Sequence, residues 1–193
     1  MPWQPFAEHT LDTAPPAARR TMEATEQRMG YLPAGVALLA ESPQLLDGFL
    51  RLSALFETTS LDPLAREVVI MTMATRNACH LCVAMHSKKL TALSAAPELV
   101  EALRAEQPLP DERLEAVRQF TLRALATAGA VPQGDLRAFL DHGHTPRQAL
   151  EVVLGIGTYT LSTFANRLTG APLDEPLTPY AWEPQVREQS TSR

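Results

Sequence analysis

Apolar residues along the chain recur at three- and four-residue intervals, the period of helices with one buried face. Leu45, Leu46, Phe49, Leu52 and Phe56 form one such stripe, in a segment opened by Ser42-Pro43 and ending near Glu57. Leu114, Val117, Phe120, Thr121 and Leu125 form a second, within residues 111–128. Leu150, Val153, Leu154, Gly157, Leu161, Phe164 and Leu168 form a third, at the a/d spacing of a packed helix. Gly155 and Gly157 weaken that helix by up to ~1 kcal/mol each relative to Ala. They are expected to permit close packing against another helix, such as the one that bears the cysteines.

The starts are as clear as the stripes. Ser42-Pro43, Asp62-Pro63 and Thr145-Pro146 each place a capping side chain before a proline at the first helical position. Thr145-Pro146-Arg147-Gln148 also reads as a capping box. Shorter helices are predicted over residues 17–29, 33–41, 97–106 and 132–141, and no strand anywhere. The chain therefore reads as all-α, with a helical body over residues 17–172. Two proline-rich arms flank it, 1–16 with Trp3 and Phe6 and 173–193 with Leu177, Tyr180 and Trp182. Aromatic side chains are costly to leave in water. The arms are thus expected to cover the body or, more in keeping with their reach, a neighbouring subunit. The last residues, polar and uncapped, are expected to be disordered.

Composition narrows the function classes. The 193 residues suit one domain with arms. A net charge of −5 argues against nucleic acid as the main partner. No apolar run reaches membrane-spanning length, and the N-terminus lacks a basic-then-apolar leader, so a cytoplasmic protein is expected. Two cysteines in a reducing compartment point to catalysis or metal binding before a structural disulfide.

Those cysteines stand together. Cys79 and Cys82 form a Cys-x-x-Cys pair, His86 follows four positions later, and Glu67 lies twelve positions before Cys79. A thiol pair, an imidazole and a carboxylate supply a thiolate nucleophile with a base and an orienter. Asp62-Pro63 opens one helix, Asn77 breaks it, and a second starts near Cys79 and runs to about Leu93. Cys79, Cys82 and His86 then fall at i, i+3 and i+7, on one face. If the helices fold back at Asn77, Glu67 lies ~15 Å and His86 ~13.5 Å from the bend, at matching height. The hypothesis is that Glu67 accepts a hydrogen bond from His86, and that His86 takes the proton of Cys82. The positive end of the second helix would favour the thiolate as well.

Other readings use the same residues. Half a zinc site would need closure by His80, His86 or a distant histidine. A thioredoxin-type motif would need a βαβ context, which the helical flanks do not offer. Two buried structural cysteines are the plainest alternative. His9, His142 and His144 read as structural, while His80 is left open between solvent and the site entrance.

A Glu, eleven residues, then Cys-x-x-Cys-x-x-x-His resembles the alkylhydroperoxidase D family, in the peroxidase-related branch of the wider carboxymuconolactone decarboxylase-like group. Gly30-Tyr31-Leu32-Pro33 and residues 38–43 resemble the lead-in of its peroxidase-related members, and Glu151-Val152-Val153 and Asn166-Arg167-Leu168 its last helix. The likeness covers roughly residues 20–172. One position departs: a second histidine stands immediately before the second cysteine in the best-known peroxidase of the family, and here that residue is Leu81. The resemblance implies a helical bundle with the Cys-x-x-Cys helix hairpin at its centre. It implies that Cys82 attacks, Cys79 resolves, and His86 and Glu67 relay the proton. It implies a homo-oligomer, a trimer or larger, and no organic or metal cofactor.

The expected activity is thiol-dependent reduction of a hydroperoxide, with a lipoyl- or thioredoxin-type dithiol protein as reductant. Leu81, Val83, Ala84 and Met85 would suit an organic substrate. The alternatives are a redox-responsive helical module without turnover, and a decarboxylase of the wider group's kind, whose chemistry needs no cysteine pair.

Overall fold

The computed structural model describes residues 4–184, and these form helices and connecting turns with no strand among them. The α-helices are α1 (Pro16–Met29), α2 (Ala34–Leu39), α3 (Pro43–Glu57), α4 (Pro63–Arg76), α5 (His80–Ala92), α6 (Pro97–Arg104), α7 (Glu112–Ala126), α8 (Gln133–Asp141) and α9 (Pro146–Thr169). A 3-10 helix, Glu175–Tyr180, follows them. The caps behave as their residue types dictate. Ser42, Asp62 and Thr145 each accept a hydrogen bond from a backbone N–H in the first turn, and the Thr145–Gln148 capping box is closed on both sides.

α4 is the centre. Every residue from Glu67 to Thr75 is buried, as a helix that is apolar nearly all round must be. α5, α6, α7 and α9 pack around it. A smaller core beside them joins α1, α2, α3 and α9 through Ala18, Met22, Leu39, Leu46 and Ala165.

The third stripe does not face inward. Leu150, Val153, Phe164 and Leu168 on α9 are 74%, 51%, 58% and 73% exposed. The buried face of α9 carries Val152, Gly155, Tyr159, Ser162, Thr163 and Asn166, and is largely polar. The reason is local: this face supplies hydrogen-bonding groups to the α4–α5 turn and to the cysteines, so it cannot be aliphatic. The two glycines separate in the same way. Gly157 has open space around it. Gly155 meets Phe56 of α3 and Val69 of α4, not the cysteine helix.

The arms fold onto their own body. Leu177 is buried, Trp182 Nε1 donates to the Arg104 carbonyl at 3.0 Å, and Arg104 donates to the Tyr180 and Ala181 carbonyls. Phe6 packs against the core and His9 N–H donates to the Ala37 carbonyl. Phe6, Tyr180 and Trp182 are thereby half-buried against their own chain. Trp3 and the polar tail lie outside the described residues.

A methyl group at Gly155 would stand 2.8 Å from two ring carbons of buried Phe56. Gly155→Ala is therefore expected to lower unfolding stability by about 1–3 kcal/mol through overpacking. Gly157→Ala, on the open face, should raise it by up to about 1 kcal/mol through helix propensity. Denaturant unfolding of the two variants checks this, and shifts of the same sign would be inconsistent with the assigned faces.

Candidate active site at the start of the cysteine helix

The site is built on the reversal between α4 and α5. Ala78 adopts a left-handed backbone, φ 50°. Its N–H bonds back to the Thr75 carbonyl and that of Cys79 to the Ala74 carbonyl, so the last carbonyls of α4 are satisfied as the chain turns. α9 locks the turn. Asn77 Nδ2 donates to Thr163 Oγ1 at 2.9 Å, and Arg167 Nη1 donates to the Asn77 carbonyl at 2.7 Å. Cys79 then occupies the N-cap of α5 and Cys82 its first turn.

The two helices run side by side, and the matched levels meet. His86 Nδ1–H donates to Glu67 Oε2 at 2.7 Å. Lys89, one turn further along α5, places Nζ 2.9 Å from Glu67 Oε1. Glu67 has no exposure to solvent. Burial by itself would raise its carboxyl, but the charges and hydrogen bonds of His86 and Lys89 outweigh it and hold the group below its ordinary value. Burial would likewise lower Lys89, and Glu67 and Glu57 together raise it. The Tyr159 and His86 rings meet nearly at right angles, centroids 5.5 Å apart, a packing that restrains the imidazole.

The thiols are both free and both buried. Cys79 Sγ–H donates to Cys82 Sγ across 2.8 Å. Asn166 Nδ2 donates to the same sulfur at 3.4 Å, and Ser162 Oγ lies 3.6 Å from it. These donors favour negative charge on Cys82. Led by the bond from Cys79, and against the penalty of burial, they pull its thiol down to about 6, with the nearby His86 charge adding to the effect. The bond to Cys82 and then burial push Cys79 the other way, above the ordinary thiol range.

His86 makes no hydrogen bond to Cys82, so the direct transfer expected between them is not the contact observed. The sulfur's partners come from α9 instead. Sequence spacing does not reach Ser162 or Asn166, eighty and more residues away. The one available signal is Ser162, Thr163, Asn166 and Thr169 recurring on one face of a helix.

Cys82 opens into a cavity of about 100 Å³. Cys82, His86, Ser162 and Asn166 line it together with Val36, Leu39, Phe49, Leu81 and Met85. Leu81 thus lines the cavity where the resemblance has a histidine. Val83 and Ala84, expected beside the substrate, point into the core. His80 lies in a separate surface cleft with Trp182 and Arg167, away from the Cys82 sulfur. His9 pairs with Glu41, His142 bonds the Ala138 carbonyl, and His144 stacks on Phe139. Among the described residues no group of three or more His, Cys, Asp or Glu side chains is gathered for a metal.

No family model matches the chain, and no curated protein matches it in sequence. Solved structures do. The alkylhydroperoxidase AhpD core of a peroxidase-related protein from Ralstonia eutropha JMP134 superposes with a TM-score of 0.78 at 21% identity, over 96% of this chain and 100% of that one. The chain has the AhpD-core fold. A peroxidase-related protein from Silicibacter sp. TM1040 shares it, at a TM-score of 0.73 and 18% identity over 92% and 96% of the two chains. So does the debrominase Bmp8 in complex with 2,3,4-tribromopyrrole, at 0.68 and 15% over 86% and 89%. The AhpD core therefore carries more than one chemistry, and the choice among them rests on the site.

A lowered thiol is ionised above its folded value and protonates as pH falls through it. The rate of Cys82 alkylation is therefore expected to be flat above neutrality and to fall through about pH 6, where an ordinary thiol would fall through ~8.5. Alkylation followed by mass spectrometry across pH tests this. A midpoint near the ordinary value would remove the claim of an activated thiol.

Proposed function

We propose that the protein is a thiol-dependent hydroperoxide reductase acting in a reducing compartment, the cytoplasm. The observation that carries this reading is a Cys82 sulfur lining a largely apolar cavity and held by Asn166, by Ser162 and by a second thiol, Cys79, 2.8 Å away. The Cys82 thiolate attacks the terminal oxygen of the hydroperoxide. An S–O bond forms, the O–O bond breaks, and an alcohol leaves after taking a proton from the Glu67–His86 pair. Sulfur gives up two electrons and the peroxide gains them. Cys79 then attacks the sulfenic acid, water leaves, and a disulfide closes. The sulfurs need move less than an ångström to reach the bonded separation of about 2.0 Å. An external dithiol, of the lipoyl or thioredoxin protein type, restores the pair by exchange. The chemistry needs no metal or organic cofactor.

Consumption of tert-butyl hydroperoxide in the presence of a dithiol is the direct test. Steady turnover by the native protein and none by Cys82→Ser is expected. A single stoichiometric oxidation without turnover would instead make the chain a redox-responsive module. Thiol oxidation by a brominated pyrrole in preference to every hydroperoxide would move the site to the chemistry named for Bmp8. Glu67→Gln keeps the shape of the side chain but removes the negative charge to which His86 Nδ1–H donates. It should slow hydroperoxide reduction at pH 7 about tenfold, because the departing alcohol draws its proton from the Glu67–His86 pair and one pKa unit is worth ~1.4 kcal/mol. An unchanged rate in a folded variant would reduce Glu67 to a structural ion-pair partner.

We infer also that the working unit is a homo-oligomer joined through α9. Leu150, Val153, Phe164 and Leu168 leave a contiguous apolar stripe on the surface, and such patches mark interfaces. Light scattering should give a mass well above 21.1 kDa. Leu168→Glu with Phe164→Glu should lower that mass while helical content stays intact. A native monomer at micromolar concentration would refute the inference.

A further inference from the structure

Asn166 is 8% exposed and lines the cavity beside Cys82. One end of its amide is accounted for, since Nδ2 donates to Cys82 Sγ at 3.4 Å. The other is not. Oδ1 is buried and meets no donor among the described residues. The amide cannot be turned round, because its oxygen would then face a thiolate and two electron-rich atoms would be pressed together. Oδ1 looks instead towards Gly35, which lines the same cavity. A Cβ built on Gly35 would stand 3.0 Å from Oδ1 and 3.2 Å from Leu81 Cδ2. Glycine at this place in α2 is not required by backbone conformation, since its φ lies outside the left-handed region. What it provides is the absence of a side chain that would crowd a buried acceptor.

We propose that Asn166 holds thiolate and substrate with the two ends of one amide, Nδ2 on Cys82 Sγ and Oδ1 accepting the O–H of the hydroperoxide. This rests on the reading of the site as a hydroperoxide reductase and adds to it how the substrate is oriented. The anchored O–H brings the terminal oxygen, the one to be attacked, beside the sulfur. The alkyl body then lies against Val36, Leu39, Phe49 and Met85. On attack the sulfur pair forms the S–O bond while the proton on the terminal oxygen stays there, still held by Oδ1, in the new S–OH group. The O–O bond breaks, and the departing alkoxide takes its proton from His86. A peroxide with no O–H, such as a dialkyl peroxide, has nothing to offer Oδ1 and is excluded as a substrate.

Two reagents of similar size separate the two ends of the amide. tert-Butyl hydroperoxide has a hydrogen to donate, and methyl methanethiosulfonate has none. Both react with the thiolate, so each is followed against pH and the plateau rates, at full ionisation, are compared. In Asn166→Ala the midpoint should rise for both reagents, because the Nδ2 bond is gone. The methanethiosulfonate plateau should stay within about twofold of the native value. The hydroperoxide plateau should fall about tenfold, the effect of losing one substrate hydrogen bond. Gly35→Ala crowds Oδ1 without touching Cys82 and serves if Asn166→Ala does not fold. Its midpoint should not move, and only its hydroperoxide plateau should fall, by threefold or more. Equal losses for the two reagents, or an undiminished hydroperoxide plateau in either variant, would overturn the role given to Oδ1 and leave the peroxidase reading standing. A native protein that reacts with the methanethiosulfonate but not with the hydroperoxide would overturn both.

Discussion

Glu67 sits wholly out of water between His86 and Lys89, and the placement of the cysteine helix follows from satisfying it. An unpaired buried carboxylate costs far more than a small domain can absorb, and removing either partner would expose that cost. His86 and Lys89 lie three residues apart on one face of α5, so together they grip the carboxylate from one side. Sliding α5 by one turn, about 5.4 Å, would break both contacts at once. Lys89 extends the network to Glu57 at the end of α3, and Arg66 on α4 lies 3.4 Å from Glu57. A buried ionic group is weak as a source of stability and strong as a device for register. Register is what the site requires, since it decides where Cys82 stops relative to α9.

The two thiols, one helical turn apart, are made unequal by that position. Cys82 receives hydrogen bonds from Cys79 and Asn166, with the Ser162 hydroxyl close by, whereas Cys79 gives up its proton's direction to Cys82. Charge therefore gathers on the sulfur that lines the cavity, and the proton stays on the one that does not. This gives the roles proposed for attack and resolution a physical basis that a symmetrical motif cannot supply. Spacing alone treats Cys79 and Cys82 alike.

Much of the fold could be read because the signals are local. A cap followed by proline fixes a helix start within one turn, and the Glu67–His86 level match needs only a rise per residue and one bend. The α9 misreading has a different origin. Periodicity reports that a helix has an apolar stripe, not what the stripe touches. On α9 the stripe is outside, and the buried face is polar because Thr163, Ser162 and Asn166 serve the turn and the sulfur. The course of the arms is hidden from the sequence for a related reason. That aromatic residues seek cover is certain; that Arg104 and the groove under Leu177 offer it within the same chain is a tertiary fact.

The reversed face of α9 and the leucine at position 81 express one arrangement. With leucine rather than histidine immediately before Cys82, with His80 in a separate cleft, and with His86 committed to Glu67 rather than to Cys82, the Cys82 sulfur has no imidazole in hydrogen-bond contact. Its stabilisation has to come from neutral donors, and α9 is the neighbouring element that can present them from the opposite side. Neutral donors hold a thiolate less strongly than an ion pair. Leu81, free of any polar duty, becomes part of an apolar wall. The site thus trades a charged relay beside the sulfur for an amide and a hydroxyl. In doing so it keeps the space in front of Cys82 suited to the proposed substrate, apolar everywhere except at its oxygens.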